Sequence, residues 1–251
     1  MRVMLVGYGR MGREIEGILI DRGHTVSTRI DADPDKGDHG EITDNLLAEC
    51  DMVIEFSLAP AVLPHVKAYS RAGTPAVIGT TGWEQDREQV KSTVENSGGT
   101  LLWGSNFSIG AHILLALTQK AAEIAGSIDE YDIFVHETHH TGKKDSPSGT
   151  ALTIAKRILD SCGSKHTIVT EALHRQIEPG ELHVSSSRGG SVPGTHSVFL
   201  DSEADTVELR HTARSRRGFA LGAVKAAEWL KDRKGFLQIE DFITDLIRGG
   251  F

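Results

Sequence analysis

Up to about residue 108, short apolar runs alternate with segments whose apolar residues recur at helical spacing, the pattern of β-α units around a parallel sheet. The runs are RVMLVG (2–7), HTVSTRID (24–31), DMVIEFS (51–57), PAVIGTTG (75–82) and TLLWGSN (100–106). Between the first two, Met11, Ile15, Ile18 and Leu19 share one helical face, and Gly23 follows as a stop. This half is predicted to be a doubly wound α/β sheet.

From about residue 109 the rhythm changes. A helical stretch over 109–125 leads to the strand-like run EYDIFVHETHH, a Gly/Ser/Pro loop, and a helix over about 149–161 with Ala151, Ile154, Ala155, Ile158 and Leu159 on one stripe. Then HTIVTEALHRQ, ELHVSSSR, THSVFLDS and DTVELRHTAR follow without intervening helices, which favours a mixed or antiparallel sheet in a second, α+β domain. The last stretch, GFALGAVKAAEWLKDRKG and IEDFITDLI, reads as helical. The expected division is a first domain of residues 1–108 completed by 219–251, and a second of 109–218.

Composition narrows the partners. With 39% hydrophobic and 25% charged residues the chain is of the soluble globular class. A net charge of -8 gives no general attraction to phosphodiester backbones or anionic lipid, so nucleic acid is not an expected partner. The longest apolar candidate for a membrane span, LLWGSNFSIGAHILLAL, is broken by Ser105, Asn106 and His112. The apolar segment before the first glycine turn is too brief for a secretory signal, and Cys50 and Cys162, each in an apolar stretch, are read as reduced core residues. A cytoplasmic location is expected.

Gly7, Gly9 and Gly12 spell G-x-G-x-x-G where a predicted strand ends and a predicted helix begins. Bare amides and the helix dipole there favour a pyrophosphate, which makes the first domain Rossmann-type. Asp31 closes the second predicted strand, where an acid binds an adenosine ribose diol. A carboxylate at Asp31 repels a 2′-phosphate and Ala32 supplies no cation, which favours NADH over NADPH; Arg10, Arg29 and Lys36 pull the other way. GTTGW (79–83) and GSNFSIG (104–110) lie at carboxyl ends of strands, where ligands of open α/β sheets bind.

The segment His136-Glu137-Thr138-His139-His140 satisfies the H-E-x-x-H pattern of zinc peptidases. Its aromatic and β-branched neighbours predict a strand, in which His136 and His140 lie roughly 13 Å apart at about 3.3 Å per residue, so no metal is expected. There remain His139 and His140 on alternate faces, then Lys143 and Lys144, then Ser148, Gly149 and Thr150 at a helix start. Such an end, beside lysine, suits a small carboxylate, with a histidine poised for proton transfer. These residues alone leave open a capped helix with solvated lysines and surface histidines.

Glu137 to Ala151 match every specified position of E-x-H-H-x-x-K-x-D-x-P-S-G-T-A, and this segment resembles the 4-hydroxy-tetrahydrodipicolinate reductase (dihydrodipicolinate reductase) family of lysine and diaminopimelate synthesis. GYGRMG, VIGTTGW, SNFSIG and HTARSRRGFALGA occur in the family's order. The resemblance implies NAD(P)H-dependent reduction of a cyclic dicarboxylic imine by a homotetramer. It implies that His139 donates or accepts a proton, that Lys143 is a second proton donor, and that His140, Gly149 and Thr150, with Ser148 beside them, hold the substrate carboxylates. Among Arg214, Arg216 and Arg217, its position in the family-like segment marks Arg216 as the further contact. The cofactor is implied to touch Gly7, Tyr8, Gly9, Arg10, Met11 and Gly12, then Asp31, then Gly79, Thr80 and Thr81, then Gly104, Ser105, Asn106 and Phe107. Two departures, a glycine loop one residue shorter than in many members and Ala32 where some carry arginine, bear on cofactor preference. His24, His65 and His112 are assigned no role. Another two-domain dehydrogenase, such as one acting on aspartate, and a nucleotide-sensing protein without turnover are the competing readings.

Overall fold

The five N-terminal apolar runs become strands β1 (Arg2–Val6), β2 (Thr25–Ile30), β3 (Met52–Glu55), β4 (Ala76–Ile78) and β5 (Thr100–Trp103). Each is shorter than its run, because the last residues leave the sheet as the loops at its carboxyl edge. Helices α1 (Arg10–Asp21), α2 (Asp44–Ala48), α3 (Ala59–Ala72) and α4 (Arg87–Ser97) link them. β3 and β4 are buried at every position, as a parallel sheet covered on both faces requires. Ile15, Ile18 and Leu19 of α1 join the core on one face, and Val62, Val66, Val90 and Val94 of α3 and α4 join that on the other.

The second unit begins with α5 (Ile109–Ala125) and continues through β6 (Asp132–His139), α6 (Gly149–Ser161), β7 (Thr167–Val169), β8 (Glu181–Arg188), β9 (Thr195–Asp201) and β10 (Thr206–Thr212). Its sheet is mixed, in the order β10-β9-β6-β8-β7, with β6 parallel to β8 and antiparallel to β9. Ile133, Val135, Leu182, Val184, Val198 and Leu200 pack under α5 and α6, while the rings of Phe134 and Phe199 stack 4.8 Å apart. Of the run HTIVTEALHRQ only β7 is strand. Beyond it the chain loops out, fastened by Arg175 to Glu181 at 2.7 Å and by Lys165 Nζ to the Pro179 carbonyl at 2.8 Å.

α7 (Arg217–Leu230) then returns to the first unit, where its small residues permit close packing: a Cβ at Gly222 would lie 1.8 Å from the Phe107 carbonyl oxygen. β11 (Gly235–Gln238) adds a strand beside β5 that the sequence had not signalled, and α8 (Ile239–Ile247) follows. The parallel sheet therefore runs β11-β5-β4-β3-β1-β2. The computed structural model describes residues 1–249, which divide into Met1–Ile109 with the residues from Arg216 onward, and Gly110–Ser215.

Candidate active site

β6 alternates buried and half-buried positions, and this carries Glu137 and His139 to the covered side of the second sheet. Glu137 is wholly buried, and its Oε1 accepts from the Ser148 N–H, the Ser186 hydroxyl and Arg188 Nη2, each at 2.9 Å. Its Oε2 faces Nδ1 of His139 at 3.2 Å and Nε2 of His196 at 3.5 Å, without the alignment of a formed hydrogen bond. The two imidazoles meet edge to face, 5.1 Å between centroids. Burial works to raise the Glu137 carboxyl pKa, but the close approach of His196 and the hydrogen bonds from Ser148 and Arg188 outweigh it and hold the group far below the usual carboxylate range. For His139, burial pushes the imidazole down to about 4, against the pull of Glu137 and with help from His196, Lys143 and Arg188. His139 is 7% exposed, so it is not one of a pair of surface histidines; His140, one residue on, is exposed. Glu137, His139 and His196 bring ligating atoms within 4.8 Å of one another, and Arg188 is paired with the other carboxylate oxygen, Oε1.

Lys143 and the amino end of α6 already grip a carboxylate. Lys143 Nζ donates to both oxygens of Asp145, at 2.8 and 2.9 Å, and this pairing, with the Gly149 N–H adding to it, holds Asp145 below its ordinary pKa. Asp145 is exposed, so an incoming carboxylate can take its place. Ser148 departs from expectation. Its N–H is spent on Glu137, its hydroxyl caps the Ala151 N–H at 3.2 Å and meets His196 Nε2 at 3.1 Å, and it is 2% exposed. It belongs to the frame of the site, and Gly149 and Thr150 begin the helix beyond it.

In the first unit the glycine turn is shaped by close approach. A Cβ at Gly12 would lie 2.5 Å from the Gly7 carbonyl oxygen, one at Gly7 (φ 85°) 2.1 Å from that of Phe56, and one at Gly79 2.1 Å from the Phe56 ring. No side chain caps α1 at Gly9, so the first-turn amides of Arg10, Met11 and Gly12 are left for a ligand. Asp31 accepts from the Tyr8 N–H at 2.8 Å and the Asp33 N–H at 3.0 Å, which fixes its carboxylate beside the turn. These features fit a dinucleotide: the cradle is one that any side chain would fill, and the acid stands where a ribose diol belongs.

Two of the basic residues nearby, Arg29 and Lys36, are engaged. The Glu16 carboxylate accepts from both the Tyr8 hydroxyl and Arg29, whose other nitrogen pairs with Asp38 at 3.1 Å, and Arg29 also lies 5.5 Å over the Tyr8 ring. Lys36 pairs with Asp33 at 2.7 Å.

Among the expected cofactor contacts, several side chains are engaged within the frame. Thr80 Oγ1 accepts from the Ser57 N–H at 2.8 Å, and its carbonyl accepts from the indoles of Trp83 and Trp103 at 2.7 and 3.4 Å, rings that meet edge to face. Asn106 Oδ1 accepts from the Ser108 N–H at 2.8 Å. The Phe107 side chain is core, 1% exposed and edge-on to Phe56, because the turn after β5 folds it inward. Gly104 packs so closely that a Cβ would lie 2.7 Å from Ile239. Thr81 and Ser105 are exposed. Met11 is partly buried against the core, and Arg10 is exposed. Arg216 is exposed at the start of α7, in the first unit rather than in that of His139. Sequence reasoning missed His196, Arg188 and Ser186, and took Glu137 for a letter of the motif.

Family models described as Dihydrodipicolinate reductase, N-terminus, and Dihydrodipicolinate reductase, C-terminus, match residues 1–107 and 110–243. A 4-hydroxy-tetrahydrodipicolinate reductase of Christiangramia forsetii is 36% identical over 249 residues, 99% of this chain and 100% of that protein. One of Natronomonas pharaonis is 39% identical, covering 97% of this chain and 100% of its own length. Among solved structures, dipicolinate-bound dihydrodipicolinate reductase from Paenisporosarcina sp. TG-14 shares the fold with a TM-score of 0.78 at 20% identity, over 95% of this chain and 97% of that one.

Proposed function

The chain belongs to the dihydrodipicolinate reductase family, and from that premise we propose how its residues divide the work. The enzyme reduces 4-hydroxy-tetrahydrodipicolinate, by way of dihydrodipicolinate, to tetrahydrodipicolinate with NAD(P)H, in lysine and diaminopimelate synthesis. An aspartate dehydrogenase is not favoured, since both family models and full-length relatives point to the reductase.

The glycine turn from Gly7 to Gly12 holds the pyrophosphate, Asp31 the adenosine ribose, and the backbone of residues 79–81 and 104–107 the nicotinamide end. Bound NAD(P)H supplies the hydride. NADH is the favoured form, supported by the place of Asp31 beside the turn and by the engagement of Arg29 with Glu16 and Asp38.

His140 and the amides of Gly149 and Thr150 receive the substrate carboxylates, with Lys143 released from Asp145 to face them. Reduction of the conjugated imine leaves a nitrogen-stabilised anion that must gain a proton. His139 supplies it, with Lys143 beside it as the second group able to donate a proton. The free enzyme keeps His139 neutral at pH 7, because burial outweighs Glu137. A bound dianion adds negative charge and raises the proton affinity of His139, so the imidazole becomes an acid when substrate is present.

One observation carries this reading: a buried histidine, a lysine gripping a carboxylate and the amino end of α6 come together in the segment that marks the family. The test is a coupled assay with aspartate semialdehyde, pyruvate and the preceding synthase, following NADH absorbance. His139→Gln and Lys143→Ala are each expected to lower turnover at least about 100-fold, the scale of general acid-base catalysis, with NADH binding little changed. Wild-type rates in both would reject these roles. The enzyme acts in the cytoplasm as a homotetramer, assembled through the face of the second sheet that bears Phe134 and Phe199.

A further inference from the structure

We propose that Glu137 is a positioning residue for His139, fixing the imidazole as its Nδ1–H tautomer and leaving Nε2 as the nitrogen that exchanges a proton with the substrate. The proposal rests on the reading of His139 as a proton-transfer group.

The carboxylate cannot turn. Its Oε1 is held by the Ser148 amide, the Ser186 hydroxyl and Arg188, each at 2.9 Å, from the start of α6 and from β8. Oε2 is therefore aimed at Nδ1 of His139 and Nε2 of His196, at 3.2 and 3.5 Å, with no other donor on it. A buried anion facing a ring nitrogen that has no other partner demands an N–H there. The opposite edge of the ring is treated differently. Gly194 has φ 148°, and a Cβ on it would lie 2.9 Å from Nε2, so the chain leaves out a side chain where one would cover that nitrogen. One ring nitrogen faces the buried carboxylate, and the other faces the bare Cα of Gly194.

The charges around the ring fit this division. Glu137 from β6 is the anion that faces His139; Arg188 from β8, Lys143 from the loop and His196 from β9 oppose its protonation, and His211 from β10 is coupled in turn to His196. When the imidazolium forms, Nε2 carries the transferable proton. On donation that N–H bond breaks, the proton joins the reduced substrate anion, and the neutral ring keeps its Nδ1–H toward Glu137.

Glu137→Gln makes a sharp test, because the donors on Oε1 pin the amide oxygen there and turn the NH2 toward both imidazoles. The introduced amide then donates to Nδ1, which forces the Nε2–H tautomer and removes the anion. Nitrogen-15 NMR of histidine-labelled enzyme at neutral pH, with His139 assigned by its loss in His139→Gln, is expected to show Nδ1–H in the wild type and Nε2–H in Glu137→Gln. Turnover of Glu137→Gln is expected to fall at least about 100-fold, with KM and NADH affinity near wild type. The alkaline limb of its kcat profile should move about one unit or more to lower pH. An Nε2–H tautomer in the wild type overturns the proposal even if the variant does not fold. Wild-type turnover and an unchanged tautomer in Glu137→Gln, while His139→Gln is slow, overturn it alone. Wild-type turnover in His139→Gln removes the underlying reading as well.

Discussion

At His139 a buried imidazole holds its proton less tightly in the folded chain than in the unfolded one, about 4 against 6.5. Between those values the unfolded chain binds more protons, so stability rises with pH across the interval and is lost as pH falls through it. His211, also pushed down by burial, acts in the same direction. The thermal midpoint is therefore expected to drop on acidification from about pH 7 to about pH 5, above the range where most carboxylates titrate, and the drop should be shallower in His139→Gln. A calorimetric series across that range with an equal slope in both proteins would contradict it. At this scale the sequence was legible where the chemistry is local. His139, Lys143 and the start of α6 stand in one segment, so spacing alone displays them. The partners of Glu137 do not: Ser186 and Arg188 follow it by 49 and 51 residues, on a strand whose neighbour is set by sheet pairing. Ser148 was misplaced for a related reason, since a helix-capping serine and a ligand-binding one look alike until the cap and the Glu137 contact are seen.

Between residue and fold, α1 brings together the groups on which the proposed cofactor preference rests. It carries Gly12, whose bare Cα lets the helix close on the turn, and Glu16, one turn on, which ties Arg29 of β2 to Tyr8. Arg29 is the cation nearest Asp31 along β2, and the preference for NADH proposed above has Glu16 withhold it from a 2′-phosphate. Wild-type enzyme is expected to have the higher kcat/KM with NADH. In Glu16→Ala the NADPH-to-NADH ratio of kcat/KM should rise about tenfold, the worth of one hydrogen bond to a charged group. Steady-state rates with both cofactors check this, and an unchanged ratio would remove Glu16 from the account. Elements with strong helical periodicity were read closely: stretches predicted over 109–125 and about 149–161 are α5 and α6. β11 was missed because its four residues lie between two helical patterns and are only half-buried, so they carry neither alternation nor a continuous apolar run.

Across the whole molecule the sequence conveyed the class of each sheet better than its order. Apolar runs separated by helices announce parallel strands, and runs without helices announce a mixed sheet, but the placing of β6 between β8 and β9 depends on long-range pairing. On the outer side of that sheet Phe134 and Phe199 stack beside Glu208, which accepts from Ser197 at 2.8 Å. The homotetramer proposed for this face predicts a solution mass of four times the 27.2 kDa chain by light scattering. Phe199→Asp should lower that mass, because a carboxylate desolvated against a like surface costs several kcal/mol. A monomeric wild type would dismiss the assembly. A different consequence follows from the Thr80 carbonyl, on which the indoles of Trp83 and Trp103 both converge. Two of the chain's three tryptophans are fastened to the loop assigned to the nicotinamide. Light emitted by an indole falls where reduced nicotinamide absorbs, so NADH bound at the proposed place is expected to quench the emission of that pair, which a fluorescence titration without label or substrate would read.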